Sequence, residues 1–367
     1  MSKSFYETLE IPSQAIHAWK YTPWKKLHPT GKLNEVPDDF LEAEVTISMM
    51  NGSELESGIS LTKTVSNGNS SFQHDDKAVA FLLAACVGST WKLDIEENTI
   101  ITSPIHVSIR ASGHLAISHI QVEVGNNSDV EIMWSLSGEA GWFGLLREGT
   151  TGHGSHYHEG MEQALSPFST ILRAESWNIG RDSTTTSSLL SLGGELVRSD
   201  LRGSLSKGAT YKQFIASNGK GSRKDNHHLQ LTHPVGNNQS ELIIHSSCDD
   251  KSRAISTGKL TIAKGADGSD ASQIFKNLLL SEKARADSIP ELEVLADDVS
   301  AAHGAASAPL DANQMFYLMS RGLDAEESEG LIVNGFLVAA FKNSPRDSIS
   351  DWLKGRLTIH LDCNLLE

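Results

Sequence analysis

The stretch Ile117-Ser118-His119-Ile120-Gln121-Val122-Glu123-Val124-Gly125-Asn126-Asn127 decides the fold class. Ile120, Val122 and Val124 alternate with polar residues, the period-two signature of a strand with one buried face. Gly125-Asn126-Asn127 supplies residues that tolerate a tight turn. Working outward, similar short units recur at residues 189–195, 229–231, 242–245 and 260–262, punctuated by Gly, Asn, Asp and Ser. From about residue 89 to 308 no apolar stripe of helical length interrupts the pattern. A sandwich, a barrel and a stacked β-solenoid all satisfy it, and periodicity alone does not choose among them.

Beyond this core the signal turns helical at both ends. Residues 16–26 include Pro23, which ends whatever helix precedes it. Alternation over 43–49 predicts a short strand, and Asp75 or Asp76 caps a helix through Ala78, Val79, Phe81, Leu82, Leu83 and Cys86 that closes at Gly88. After Pro309, Asp311 with Gln314 predicts a capping box on a helix ending at Gly322. Asp324 with Glu327 caps a second helix carrying Leu331, Ile332, Gly335, Phe336, Ala339 and Ala340, and a third spans about 350–359. The expected division is a mostly helical segment 1–88, a β core 89–308 and a helical segment 309–367. Two short amphipathic helices so joined form a hairpin that serves either as a cap over the core or as a docking surface, with Gly335 permitting close approach and Phe336 as an aromatic anchor.

A length of 367 residues allows roughly two or three domains. The formal charge of −15 repels nucleic-acid backbones and anionic lipid, so no nucleic-acid partner is expected. No run approaches the ~18 apolar residues of a membrane span, and the opening residues lack an apolar signal core, which predicts a cytoplasmic protein away from the membrane. Cys86, Cys248 and Cys363 show no C-x-x-C spacing and read as buried or incidental thiols, not as a zinc site, disulfide framework or four-thiolate cluster motif. Neither a phosphate loop nor a nucleophile elbow is present, so no catalytic activity is expected. His153, His156 and His158 have a strand spacing able to chelate a metal, yet their Gly and Ser neighbours favour a surface loop, while His227 and His228 read as strand and turn residues. Asp249, Asp250 and Arg253 would suit a β-helix carbohydrate-active enzyme, but a solvated turn explains them better.

Six motifs, in order along the chain, resemble the SufB/SufD family, the non-ATPase subunits of the SUF iron–sulfur cluster assembly machine. They are Ala18-Trp19-Lys20-Tyr21-Thr22; Asp225-Asn226-His227 with His233; Asn277-Leu278-Leu279-Leu280-Ser281; Pro290-Glu291-Leu292-Glu293; Ala296-Asp297-Asp298-Val299; and Ala302-His303-Gly304-Ala305 followed by Met315 to Leu323 and Leu331 to Phe336. The first is similar to the W-K-Y-T of the SufD type. The resemblance implies a mainly β fold, a right-handed parallel β-helix core flanked by N-terminal and C-terminal helical domains. It implies a SufB-type partner paired edge to edge with the β-helix, with a homodimer possible through the same edge. It also implies a SufC ABC-type ATPase, which would hydrolyse the ATP, seated on the C-terminal helices at Phe316, Tyr317, Arg321, Gly322, Gly335 and Phe336.

His303 is the implied metal site, a cluster-assembly residue at the seam whose neutral imidazole is a competent iron ligand. Iron or an iron–sulfur cluster would be held transiently and shared with SufB, none tightly bound by this chain alone. Two departures matter: Ala284 and Gly304 stand where the SufB type has Cys and Glu, and Ala301-Ala302 precede His303 where relatives often carry Cys-Ser. The chain is therefore expected to need a SufB-type partner to complete a ligand set. The alternative class is a β-helix carbohydrate-active enzyme or β-solenoid binding protein, which predicts a secretion signal and no C-terminal helical pair.

Overall fold

A computed structural model describes residues 3–65, 70, 72, 76–86 and 88–361. Asp75 and Cys363 lie outside the described residues. The N-terminal segment holds α1 (Lys3–Thr8), a 3₁₀ turn (His17–Trp19), α2 (Trp24–Leu27), β1 (Leu41–Glu42), β2 (Glu44–Met49), β3 (Ile59–Thr64) and α3 (Lys77–Ala85). Its three helices thus share the segment with strands, and β2 joins the core sheet antiparallel to β5 (Ile105–Val124). Asp76 caps α3, accepting from the amides of Ala78 and Val79.

From β4 (Thr90–Ile95) the chain winds as a parallel β-solenoid. After β5 come β6 (Asp129–Thr151), β7 (His156–Leu165), β8 (Thr170–Ile179), β9 (Thr184–Ser191), β10 (Leu196–Leu205), β11 (Thr210–Gly219) and β12 (Lys224–His233). They are followed by β13 (Gln239–Cys248), β14 (Arg253–Ile262), β15 (Ser269–Leu279), β16 (Arg285–Val294) and β17 (Val299–Pro309). Odd-numbered β7 to β17 stack in parallel register as one sheet, and even-numbered β8 to β16 as the other. The long β5 and β6 turn a corner between sheets. Gly138 of β6 sits at that corner with φ +108, and a Cβ there would lie 2.0 Å from the Ala111 carbonyl oxygen, so the close approach requires glycine.

Another corner is built from stacked left-handed residues: Asn98, Asn127, Gly154, Asp182, Gly208, Asn237 and Gly268, spaced 26 to 31 residues apart. Each is Asn, Asp or Gly because other side chains resist positive φ. This is the repeat that hydrophobic periodicity alone leaves indistinct.

Apolar side chains from both sheets fill the lumen, among them Leu189, Leu201, Ile215, Leu229, Ile244, Leu260 and Phe275. The outer faces are covered differently. Tyr6, Trp24, Leu27 and Phe81 pack with Leu115, Trp142, Leu146 and Leu172 on one side. On the other, α5 (Ala325–Val338) and α6 (Asp347–His360) bury Val333, Leu337, Leu353 and Leu357 against Leu190, Phe214 and Ile243. Preceding them, α4 (Ala312–Ser320) has no buried residue. The fold is mainly β, a parallel β-helix with flanking helices at both termini.

Candidate functional site

The interior coils of the β-helix have a strand above and below, but β17 pairs with β15 alone and β16 with β14 alone among the described residues. The solenoid therefore ends in an open rung whose β17 is exposed along nearly its whole length. Its Ala-rich sequence keeps that edge flat and small. Residues of like parity on stacked parallel strands share a face, so His303, paired with the buried Gln273 of β15, stands on the lumen side of the final rung. A hollow of about 380 Å³ along the β15–β17 edge is lined by Gln273, Phe275, His303 and Ala305 of that face together with Ile274, Lys276 and Ala302 of the opposite one. His303 is exposed at the mouth of the β-helix.

The other expected residues lie on the helical tail. Asp311 caps α4 through the Asn313 amide at 2.8 Å, and the reciprocal box forms at Asp324–Glu327, where each side chain bonds the other's backbone amide at 2.8 Å. Gly322 closes α4 with φ +102. Phe316 is 75 % exposed and Tyr317 56 %, with the Arg321 guanidinium 5.1 Å from the Tyr317 ring centre. Phe336 is half-buried: its ring stacks on His245 at 4.9 Å, and His245 Nδ1 donates to its carbonyl at 2.7 Å. It fastens α5 to the trunk, leaving Phe316 and Tyr317 as the outward-facing rings. Beside it, a groove of about 410 Å³ is lined by Leu278, Pro309, Gln314, Gly335 and Phe336. A Cβ on Gly335 would meet nothing within 4 Å, so that stretch of α5 is uncrowded.

The remaining histidine and carboxylate candidates are not gathered. His153 lies in a turn, its ring bonded to the Arg181 carbonyl, while His156 and His158 are on β7 with rings stacked 6.5 Å apart. His158 is buried, which, aided by the nearby Arg346 charge, pushes its pKa down to about 4. The expected surface loop is confined to residues 152–155, and His156 and His158 belong to β7. No trio of His, Cys, Asp or Glu among the described residues is placed to hold a metal ion. His227 and His228 are both buried on β12, paired with Asp225 and Asp200. Asp249 and Asp250 form a turn, and Arg253 pairs with Asp287 at 2.7 Å. Cys248 is a buried thiol pushed up to about 11 by burial.

Two motifs far apart in sequence meet in space. The Ala18 carbonyl accepts from Arg198 Nη1 at 2.7 Å and Trp19 lies over the same guanidinium at 4.2 Å. Asn226 donates to Thr22 Oγ1 at 2.7 Å across 204 residues of sequence. The A-W-K-Y-T segment is thereby clamped to the outer face of β10 and β12. Beside it lies a polar cleft of about 640 Å³ reaching Arg202 and His228.

Residues 107–336 match the family model for the SufBD core domain of SUF system iron–sulfur cluster assembly. The chain belongs to the SufBD family. It is 33 % identical over 181 residues to an iron–sulfur cluster assembly SufBD family protein of Synechocystis, covering 48 % of this chain and 38 % of that protein. It is 27 % identical over 287 residues to the iron–sulfur cluster assembly protein SufD of Bacillus subtilis, covering 76 % of this chain and 66 % of the relative. SufD of Escherichia coli is 35 % identical over 106 residues, 29 % of this chain and 25 % of that one. The matched stretches thus span from a quarter to two thirds of these relatives. The SufBD match begins at Val107 within β5, takes in the solenoid strands from there to β17 and runs on to Phe336 of α5.

Sequence reasoning missed the ionic contents of the lumen. Arg147 donates to Glu159 through Nη1 at 2.5 Å and Nη2 at 2.7 Å, and to Glu175 through Nε at 2.9 Å, all three side chains being fully enclosed. Burial alone would raise the pKa of Glu175, but Arg147 and Arg173 outweigh it and hold the carboxyl at about 2. The available signal was Arg147 and Glu159 falling at the lumen-facing parity of their strands, where apolar residues were expected.

Proposed function

We propose that this chain is a SufD-like assembly subunit, non-catalytic itself, that acts in the cytoplasm. Through the open β16–β17 end it pairs with a SufB-type subunit, a second copy being the alternative occupant of the same edge. Through α4 and α5 it binds a SufC-type ATPase. Iron or a nascent cluster is cargo that His303 helps to hold at the seam, with the partner supplying the remaining ligands. The observation that carries this reading is one imidazole exposed on an unpaired terminal rung, next to a helical hairpin whose aromatic side chains face outward. Strand edges of this length are ordinarily blocked or covered, and an exposed flat one is a template for pairing. The SufD name borne by similar proteins supports the choice of subunit type.

The test is co-expression with SufB-type and SufC-type subunits under anaerobic conditions. Phe316→Ala with Tyr317→Ala should weaken ATPase binding by calorimetry, and an unchanged affinity would remove the docking role. His303→Ala should leave the assembly intact while lowering iron retained per complex; full retention would remove the ligand role.

A further inference from the structure

Two polar ladders face each other inside the lumen. On the odd-numbered sheet, Gln163, Ser191, Ser217, Ser246, Asn277 and Ser307 stand one above another in register. On the even-numbered sheet, Arg173, Ser199, His227, Ser256 and Ser288 do the same. Hydrogen bonds that cross the lumen show that the ladders meet. Arg173 Nη1 donates to Gln163 Oε1 at 2.9 Å, and Asn277 Nδ2 donates to Ser288 at 2.9 Å and to Ser307 at 3.0 Å.

Followed upward, the chain is continuous for several coils. It starts from Tyr157, bonded to Glu159, and passes through Arg147, Glu175 and Arg173 to Gln163. Gln163 donates to Ser191, which donates to Asp225 at 2.8 Å, as does Ser217 at 2.6 Å. The chain then breaks at one rung, that of Ser246 and Ser256, before resuming at Asn277–Ser288.

At the break, the Ser246 and Ser256 hydroxyls have no hydrogen-bond partner though fully buried, and on the coil directly below neither do Nδ1 and Nε2 of His227 or Nε and Nη1 of Arg223. His227 Nε2 is 3.1 Å from Asp225 Oδ1 but out of line for a hydrogen bond. Buried polar groups are satisfied by protein or by ordered water, and orphans clustered on this rung and the one directly below it mark where water sits. The rung above supplies the size argument: there an asparagine amide reaches a serine hydroxyl directly, whereas here serine replaces the asparagine and the reach is lost.

We infer that the Ser246–Ser256 rung is a buried binding site for water, which completes a hydrogen-bonded chain through the lumen from Tyr157 to Ser307, on the same face of β17 as His303. The site is independent of the assembly reading above, because it rests on the lumen alone.

A high-resolution crystal structure of the full chain, with a bromide-soaked companion, tests it. Water density bridging the two serines is expected; a dry gap would overturn the inference, and an anomalous bromide peak would replace water by a small anion. Thermal melts give a second reading. Ser246→Val removes a water partner and should lower Tm, while Ser246→Asn, which copies the rung above, should displace the water and retain Tm. A rise in Tm with valine, as expected for filling an empty void, would sink the proposal.

Discussion

His158 and His233 carry a residue-scale consequence of the burial that the solenoid imposes. Burial pushes both from 6.5 down to about 4, His158 beneath Arg346 and His233 bonded to Ser240 at 2.8 Å. The unfolded imidazole takes up a proton below about 6.5 while the folded one stays neutral until about 4. Stability is therefore full above the unfolded pKa and falls as pH drops through this window. Each histidine should withdraw about 2 kcal/mol at about pH 5 relative to neutral pH. Urea unfolding at the two pH values checks this: His158→Gln should shrink the difference by about that amount, and an unchanged difference would assign acid sensitivity elsewhere. The sequence shows these histidines but not their burial, which depends on what the helical tail and the neighbouring coils place over them.

At the scale of elements, Arg147 joins β6, β7 and β8 through Glu159 and Glu175 while its guanidinium lies 5.1 Å and 5.3 Å from the rings of Trp134 and Trp177. Arg147→Met would leave Glu159 buried without its cation while Glu175 keeps Arg173, which costs about 3–5 kcal/mol. The midpoint of chemical denaturation should fall accordingly, and a loss below about 1 kcal/mol would mean that water reaches the lumen and solvates the carboxylates. Strand existence was legible from period-two alternation because each strand buries one face on the lumen. The helical tail was legible from Asp324–Glu327 and Gly322, since caps are local. What could not be read was the covering of the outer faces: Leu190, Phe214 and Ile243 look outward from strands and are buried only because α5 and α6 settle on them.

For the whole molecule, the decisive feature is the difference between its covered flanks and its uncovered end. Ala302 and Ala306 are exposed on β17. Lysine at both positions should leave Tm nearly unchanged, since surface changes ordinarily move stability by about 0.5 kcal/mol or less. The same variant should abolish pairing with a SufB-type partner or a second copy, measured by light scattering, because edge charges oppose strand addition. Retained pairing would place the interface elsewhere. The amino-acid sequence alone determined the strands, the tail helices, the family to which the motifs belong and the glycine, asparagine and aspartate corners, all of which depend on neighbours a few residues away. The parallel β-helix was implied by the motifs' family resemblance, whereas tertiary structure alone decided the register in which the coils stack, that Trp19 and Thr22 reach Arg198 and Asn226, and that β17 forms the final, outermost rung bearing His303. Those outcomes arise from register between coils nearly thirty residues apart, and no local pattern specifies which strand lies above or below another.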